Sequence, residues 1–346
     1  MEKLRNIVPG DNSRPTEIPP GDSNIAYYGR WDRSDPGYYH SYWGGAYLKV
    51  RFTGTSVKIN LNKSTSLLVN IDNTGDKLFH NVNGTVNLTP DELLPGTHSI
   101  KVAAQYDEME LVFQGLILDP EAETLAPLIS QNKIVEFIGD SITTGADNPN
   151  GDGDAFAWLA SDLLGVEHTQ ISDPGIALVD GYGSSPSGME TAYFKLKTPN
   201  YTTTNSDWDH STYTPAAIVV NLGSNDHYSN IDPALFQSRY IVFLTNLRGK
   251  YPDAEIFGLR LFNGWFETEV QNAVEARIVA GDAKVHYVDT AGWLQGYGTT
   301  TTVDYVQKST GFSVHPSRLG HSKAAKQLVP ILKPYLNLPF TQQQYP

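Results

Sequence analysis

The sequence predicts two domains, an all-β sandwich followed by an α/β domain built on a parallel sheet. Three observations carry this. The first 120 residues hold short runs that alternate apolar and polar at period two, with no helical period. From residue 134 onward, short apolar runs alternate with segments of helical spacing. A chain of 346 residues has room for two domains at roughly 100–200 residues each.

In the first part, residues 46–52 (AYLKVRF) and 56–61 (SVKINL) alternate around Gly54. Residues 67–71, 82–88, 98–103 and 109–118 follow as short strands, punctuated by Asn73-Thr74-Gly75, Asn83-Gly84 and Pro95-Gly96. Many short strands with regular turn signals predict a sandwich or jelly roll over residues 1–120. Residues 121–133 (EAETLAPLISQNK) read as a linker. In the second part, residues 134–346, a short apolar strand at 134–138 (IVEFI) precedes a helix at 156–164. Residues 216–222 (AAIVVNL) form a continuous apolar strand of the kind buried on both faces. A helix over 233–251 follows Asp232 as its N-cap. Strands at 255–262 and 284–288 and helices at 267–279 and 319–336 complete the alternation, which implies parallel βαβ units.

Composition narrows the function. Apolar residues make up 40%, which excludes a disordered chain. A net charge of −13 argues against nucleic acid as a partner, because phosphate contacts need clustered Lys and Arg. No stretch approaches ~18 consecutive apolar residues, so no transmembrane helix and no membrane partner is expected. Cysteine is absent, which removes disulfides, thiolate chemistry and Cys-ligated metals. The histidines show no HExxH-type spacing, so no metal is expected. Four Asn-x-Ser/Thr triplets, at Asn62, Asn83, Asn87 and Asn200, arise at a frequency that chance supplies. The first residues hold no apolar core of a signal peptide. Nineteen Tyr and six Trp fit a sugar-facing surface as well as core packing.

In an open parallel sheet, ligands bind beyond the carboxyl ends of the strands. IVEFI is followed there by Gly139-Asp140-Ser141-Ile142-Thr143, and AAIVVNL by Gly223-Ser224-Asn225-Asp226. Val314-His315-Pro316 precedes the last helix. A serine, an amide and a histidine in such loops are what a serine hydrolase needs as nucleophile, oxyanion donor and base. The stretch IVEFIGDSITTG resembles the first block of the SGNH (GDSL-type) hydrolases, NLGSND their Gly-x-Asn-Asp block, and VHPSRLGH their histidine block. Residues 171–175 stand where the glycine block belongs. The resemblance spans residues 133–336 and implies a three-layer α/β domain. It implies Ser141 as nucleophile and His315 as general base. It also implies the Gly175 N–H, the Asn225 amide and the Ser141 N–H as oxyanion hole, with no cofactor.

The pattern departs from the family at one place. The acid that usually stands three residues before the histidine is Phe312 here, and the nearest acid upstream is Asp304. Three readings follow. A backbone carbonyl orients the imidazole and a Ser–His dyad works. A remote carboxylate such as Asp304 or Asp226 substitutes. Or activity is lost. An N-terminal β-domain joined to an SGNH domain with a Ser–His dyad resembles carbohydrate esterase family two, on residues 42–61 (YWGGAYLKVRFTGTSVKINL) and 287–293 (YVDTAGW). That resemblance implies removal of O-acetyl groups from an acetylated oligo- or polysaccharide of plant cell walls, xylan or glucomannan, through an acetyl-enzyme. The expectation is then a secreted protein whose signal peptide is absent from this chain. A lipid or aryl esterase, or a degenerate glycan-binding protein, stand as alternatives. Trp265, between a strand and a helix on the same rim, is a candidate to stack on a sugar, with core packing as the competing role. Trp31, Trp43 and the Tyr-rich residues 38–47 read either as a glycan surface or as the sandwich's own core. Asp140 and Asp226 read as loop braces and His321 as structural.

Overall fold

The computed structural model describes residues 14–106, 109–128, 133–299, 302–308 and 311–338. Ten strands form one sheet in the first domain: β1 (Thr16–Ile18), β2 (Ala26–Tyr28), β3 (Trp31–Asp32), β4 (Tyr39–Ser41), β5 (Tyr47–Gly54), β6 (Val57–Ile71), β7 (Asp76–Asn87), β8 (Gly96–Ala104), β9 (Leu111–Leu118) and β10 (Thr124–Leu125). Every pairing is antiparallel. β6 folds the sheet over on itself. Its first half, residues 57–61, pairs with β9, and its second half, residues 67–71, pairs with β8. A register shift between Leu61 and Thr65 marks the bend. The inward residues of the two layers, among them Leu48, Val50, Phe52, Ile59, Leu67, Val102 and Phe113, bury each other. β10 lies inside the segment predicted as a linker. It pairs with Phe52 and Arg51, so the chain stays tied to the first domain through residue 125.

The second domain carries a five-stranded parallel sheet, β11 (Ile134–Gly139), β12 (Glu167–Ser172), β13 (Ala217–Asn221), β14 (Glu255–Leu259) and β15 (Val285–Val288), in the order β12-β11-β13-β14-β15. A separate hairpin joins β16 (Tyr305–Lys308) and β17 (Gly311–Pro316). The helices are α1 (Phe156–Leu164), α2 (Met189–Ala192), α3 (Ser224–Tyr228), α4 (Pro233–Lys250), α5 (Glu267–Val279) and α6 (Arg318–Leu332). Alternate strand residues face opposite layers. Val135, Phe137 and Val219 pack with Phe156, Ala160 and Leu328 of α1 and α6. Ile138, Ile218 and Val220 pack with Phe236, Phe243 and Val270 of α4 and α5. The Asp232 side chain accepts the Ala234 N–H and starts α4 as predicted.

The sequence gives no apolar run at β12, whose residues read EHTQIS, and yet the last five are buried. The reason is that the first domain covers this edge and supplies polar partners. The Tyr47 hydroxyl donates to Glu167 and accepts the His168 N–H, and Trp158 packs edge-on against the His168 ring. Arg30 enters the second domain completely buried, its guanidinium 4.8 Å from the Tyr193 ring and donating to the Lys195 carbonyl. Trp43 belongs to the second domain's core, where its indole N–H donates to the Leu196 carbonyl. Trp31 lies inside the β-sheet core. The reading of Trp31 and Trp43 as a glycan surface is therefore corrected: both indoles are consumed by packing.

Candidate active site

The parallel sheet brings three loops side by side, because β12, β11 and β13 are neighbours and all end at the same edge. Ser141 follows the middle strand in a tight turn. The Thr143 and Thr144 N–H groups donate to the Asp140 carbonyl, and the Ile142 N–H donates to Asp140 Oδ1. Ser141 sits in that turn and caps no helix. Asp140 is fully buried, and burial raises its carboxyl above the ordinary carboxylate value.

His315 reaches this turn from β17. Its Nε2 stands 2.8 Å from Ser141 Oγ, and its Nδ1 stands 2.6 Å from Asp147 Oδ2. A carboxylate only accepts, so Nδ1 carries the proton and Nε2 is left to accept from the serine hydroxyl. Lys308, on the same hairpin as His315, places its ammonium 2.7 Å from the same Asp147 oxygen. Burial alone would raise the Asp147 carboxyl, but the Lys308 ammonium and the His315 ring outweigh it and hold the group below its ordinary value. The carboxylate thus stays ionised around neutral pH.

Of the three readings of the imidazole, this geometry fits the remote carboxylate, though neither of the two acids named for it. The side chain at its second nitrogen belongs to Asp147, six residues after Ser141, so Ser141, His315 and Asp147 form one hydrogen-bonded row. Asp304 is buried and occupied elsewhere, by Lys323 at 2.6 Å and the Gln295 N–H at 2.9 Å. Asp226 accepts the Leu178 and Val179 N–H groups at 2.7 and 3.1 Å. It braces the loop after β12 rather than its own. Burial, against those two donors, lifts its carboxyl to about 6. Phe312 pairs through its backbone with Gln307, and its side chain lies outside the described residues. Sequence reasoning missed Asp147 because it stands 168 positions from its partner. The available signal was an acid six residues after the nucleophile in a strand-end loop.

Gly175 lies in the loop after β12 with φ +79, a conformation that favours glycine, and a Cβ there would come within 2.0 Å of Ser184 Oγ. Asn225 opens α3 beyond β13, and its Nδ2 donates to the Ile176 carbonyl at 2.8 Å, next to Gly175. One amide hydrogen is used in this bond; the same nitrogen carries a second. Ser141, Gly175 and Asn225 thus share one edge of the sheet. Trp265, half-buried between β14 and α5, stacks on His227 at 4.1 Å. Tyr228, which is 53% exposed, and Tyr297 meet its ring near perpendicular. His321 is buried against Phe156, accepts the Phe156 N–H at 3.1 Å and is driven down to about 3 by burial. Among the described residues no group of three His, Asp or Glu side chains could hold a metal ion.

Comparison with known proteins extends these observations. Residues 137–323 match the GDSL-like lipase/acylhydrolase family, and residues 27–127 match the carbohydrate esterase 2 N-terminal family. A cellulase/esterase, CelE, of Acetivibrio thermocellus is 28% identical over 93% of this chain and 40% of its own length. An acetylxylan esterase/glucomannan deacetylase of Cellvibrio japonicus is 25% identical over 53% of this chain and 55% of its own. The chain thus spans about half or less of these two relatives. Among solved structures, a family two carbohydrate esterase from Clostridium thermocellum in complex with cellohexaose superimposes with a TM-score of 0.74 at 26% identity, covering 90% of this chain and 99% of that one.

Proposed function

Because the chain belongs to the GDSL-like lipase/acylhydrolase family, we propose that it is a serine esterase that removes acetyl groups from a plant cell-wall polysaccharide of the xylan or glucomannan type. The observation that carries the proposal is the unbroken hydrogen-bond chain from Ser141 through His315 to Asp147. In the first half-reaction Ser141 Oγ attacks the acetyl carbonyl carbon and its proton passes to His315 Nε2. Asp147 keeps the Nδ1 proton in place and stabilises the imidazolium that forms. The oxyanion rests on the Ser141 and Gly175 N–H groups and the free hydrogen of the Asn225 amide. Each such donor contributes about 10²–10³ in rate. Collapse of the tetrahedral intermediate breaks the bond to the sugar oxygen, which takes the proton from His315. Water, activated by the same imidazole, then hydrolyses the acetyl-serine, and the proton returns to Ser141. The chemistry calls for no cofactor.

The aromatic group of Trp265, His227, Tyr228 and Tyr297 supports a sugar substrate, since flat apolar faces pack against pyranose rings. The relatives, a cellulase/esterase and an acetylxylan esterase/glucomannan deacetylase, point the same way. A substrate of this kind implies a secreted enzyme. The test is hydrolysis of p-nitrophenyl acetate, acetylated xylan, acetylated glucomannan and long-chain esters by the wild type and Ser141→Ala. The proposal expects turnover of the acetylated substrates by the wild type alone. Equal rates for the two proteins would end the enzyme reading, and faster cleavage of long chains would transfer it to lipid esters.

A further inference from the structure

The loop after the nucleophile is held from three directions. Asp147 meets His315 and Lys308. The buried Asn148 amide donates to the Gly145 and Ala146 carbonyls and, at 3.0 Å, to the carbonyl of Pro316, the residue after the imidazole. The Pro149 carbonyl then accepts Gln105 Nε2 at 2.6 Å and the Tyr106 hydroxyl at 3.2 Å, both from the end of β8 in the other domain. Gln105 is 3% exposed, and its own N–H donates to the Ser66 carbonyl of β6 at 2.8 Å, so the donor is fixed to the β-sheet. The approach is close: at Gly151, φ +50, a Cβ would stand 2.4 Å from the Gln105 carbonyl oxygen and 2.5 Å from the Tyr106 ring. Pro149 has a fixed φ, which removes one of the two soft torsions at the anchored residue. Asp147 itself is held at φ +67, a left-handed conformation that persists in a non-glycine residue when the surroundings over-determine it.

We propose that Gln105 is a positioning residue for ester hydrolysis, through which the β-domain sets the loop that presents Asp147 to His315. The proposal rests on the catalytic reading of Ser141, His315 and Asp147 given above. Reacting groups tolerate displacements of only about 0.5 Å before rate is lost. A carboxylate two residues from the anchored carbonyl is within reach of any slack there. The β-domain then has a role in turnover that needs no sugar contact of its own.

The experiment uses the full chain and a double-mutant cycle of Gln105→Leu and Asp147→Asn, read as kcat and KM on p-nitrophenyl acetate and as Tm. Gln105→Leu should lower kcat about tenfold with KM within about twofold. In the Asp147→Asn background the same substitution should cost less than about twofold, because the group it positions is gone. Losses that multiply, or an unchanged kcat with a lowered Tm, overturn the proposal. If Gln105→Leu does not fold, Tyr106→Phe carries the test. A smaller kcat loss that vanishes in the Asp147→Asn background supports the proposal, and no loss overturns it. Failure of the underlying catalytic reading is distinguishable, since Ser141→Ala or Asp147→Asn would then keep the wild-type rate.

Discussion

Two neighbouring loops at the carboxyl edge of the sheet are built on opposite principles. The turn of residues 140–144 is shaped mainly from within: Asp140 accepts from Ile142, Thr143 and Thr144 within four positions. The next loop, residues 147–149, has local bonds at Asn148 but is anchored from far away, by the hairpin that carries Lys308 and His315 and by Gln105, just past β8 of the other domain. A turn shaped from within leaves a local pattern of Gly, Asp and Ser. A loop held by distant partners leaves none, yet here it carries the carboxylate that meets His315 Nδ1. Local pattern therefore points to Ser141, and only tertiary contact points to Asp147.

The strongest way to break this comparison is to exchange acids. Asp147→Asn keeps the shape and removes the charge that fixes the imidazole tautomer. In a serine protease that change costs about 10⁴ in kcat, and a loss of about 10³–10⁴ is expected here. Asp304→Asn, at the acid the sequence pointed to first, should leave kcat within about threefold. It should lower Tm, because it removes the buried partner of Lys323. Steady-state rates and thermal melts of the two variants decide between distant and local control.

Asp226→Asn sharpens the point on the other flank. The carboxylate offers two acceptors to Leu178 and Val179, and an amide offers one. One buried N–H would lose its partner, at about 1–3 kcal/mol. Loosening the loop that carries Gly175 should also lower kcat about tenfold, and an unchanged kcat would show that this loop needs no brace. A smaller and more selective effect belongs to Trp265→Ala. Removing an aromatic platform worth about 1 kcal/mol should raise KM on acetylated polysaccharide about fivefold and leave p-nitrophenyl acetate nearly untouched.

The smallest effect concerns the seam between the domains. Glu110 accepts from His40, Lys63 and the Tyr201 hydroxyl of the second domain. Burial opposes its ionisation, but these donors hold its pKa to about 2 against an ordinary 4.5. A carboxyl whose folded pKa is lowered contributes fully above its unfolded value and loses that contribution as pH falls towards the folded one. Between roughly pH 5 and 3 the wild-type Tm should therefore fall more steeply than that of Glu110→Gln. Parallel slopes would remove Glu110 from the account of the seam.

Much of the molecule was legible because its signals are local. β13 is an apolar run, α4 opens on an Asp-Pro cap, and Ser141, Asn225 and His315 stand at the ends of such elements. The rest was hidden for stated reasons. β12 is polar because its neighbours are polar groups as well as α1, the Tyr47 hydroxyl of the first domain among them. β3 and β10 have two residues each, too short for any period. Trp43 and Arg30 look like surface residues of the β-domain and are core residues of the other.

The central claim is that Asp147, through His315, activates Ser141. The most direct measurement is the rate at which a fluorophosphonate modifies Ser141, followed by mass spectrometry of the Ser141 peptide. It reports nucleophile activation without substrate binding or turnover. The account predicts one adduct, on Ser141, forming about 10³-fold more slowly in Asp147→Asn and at the wild-type rate in Asp304→Asn. Equal labelling of wild type and Asp147→Asn, or an adduct on another residue, would contradict it.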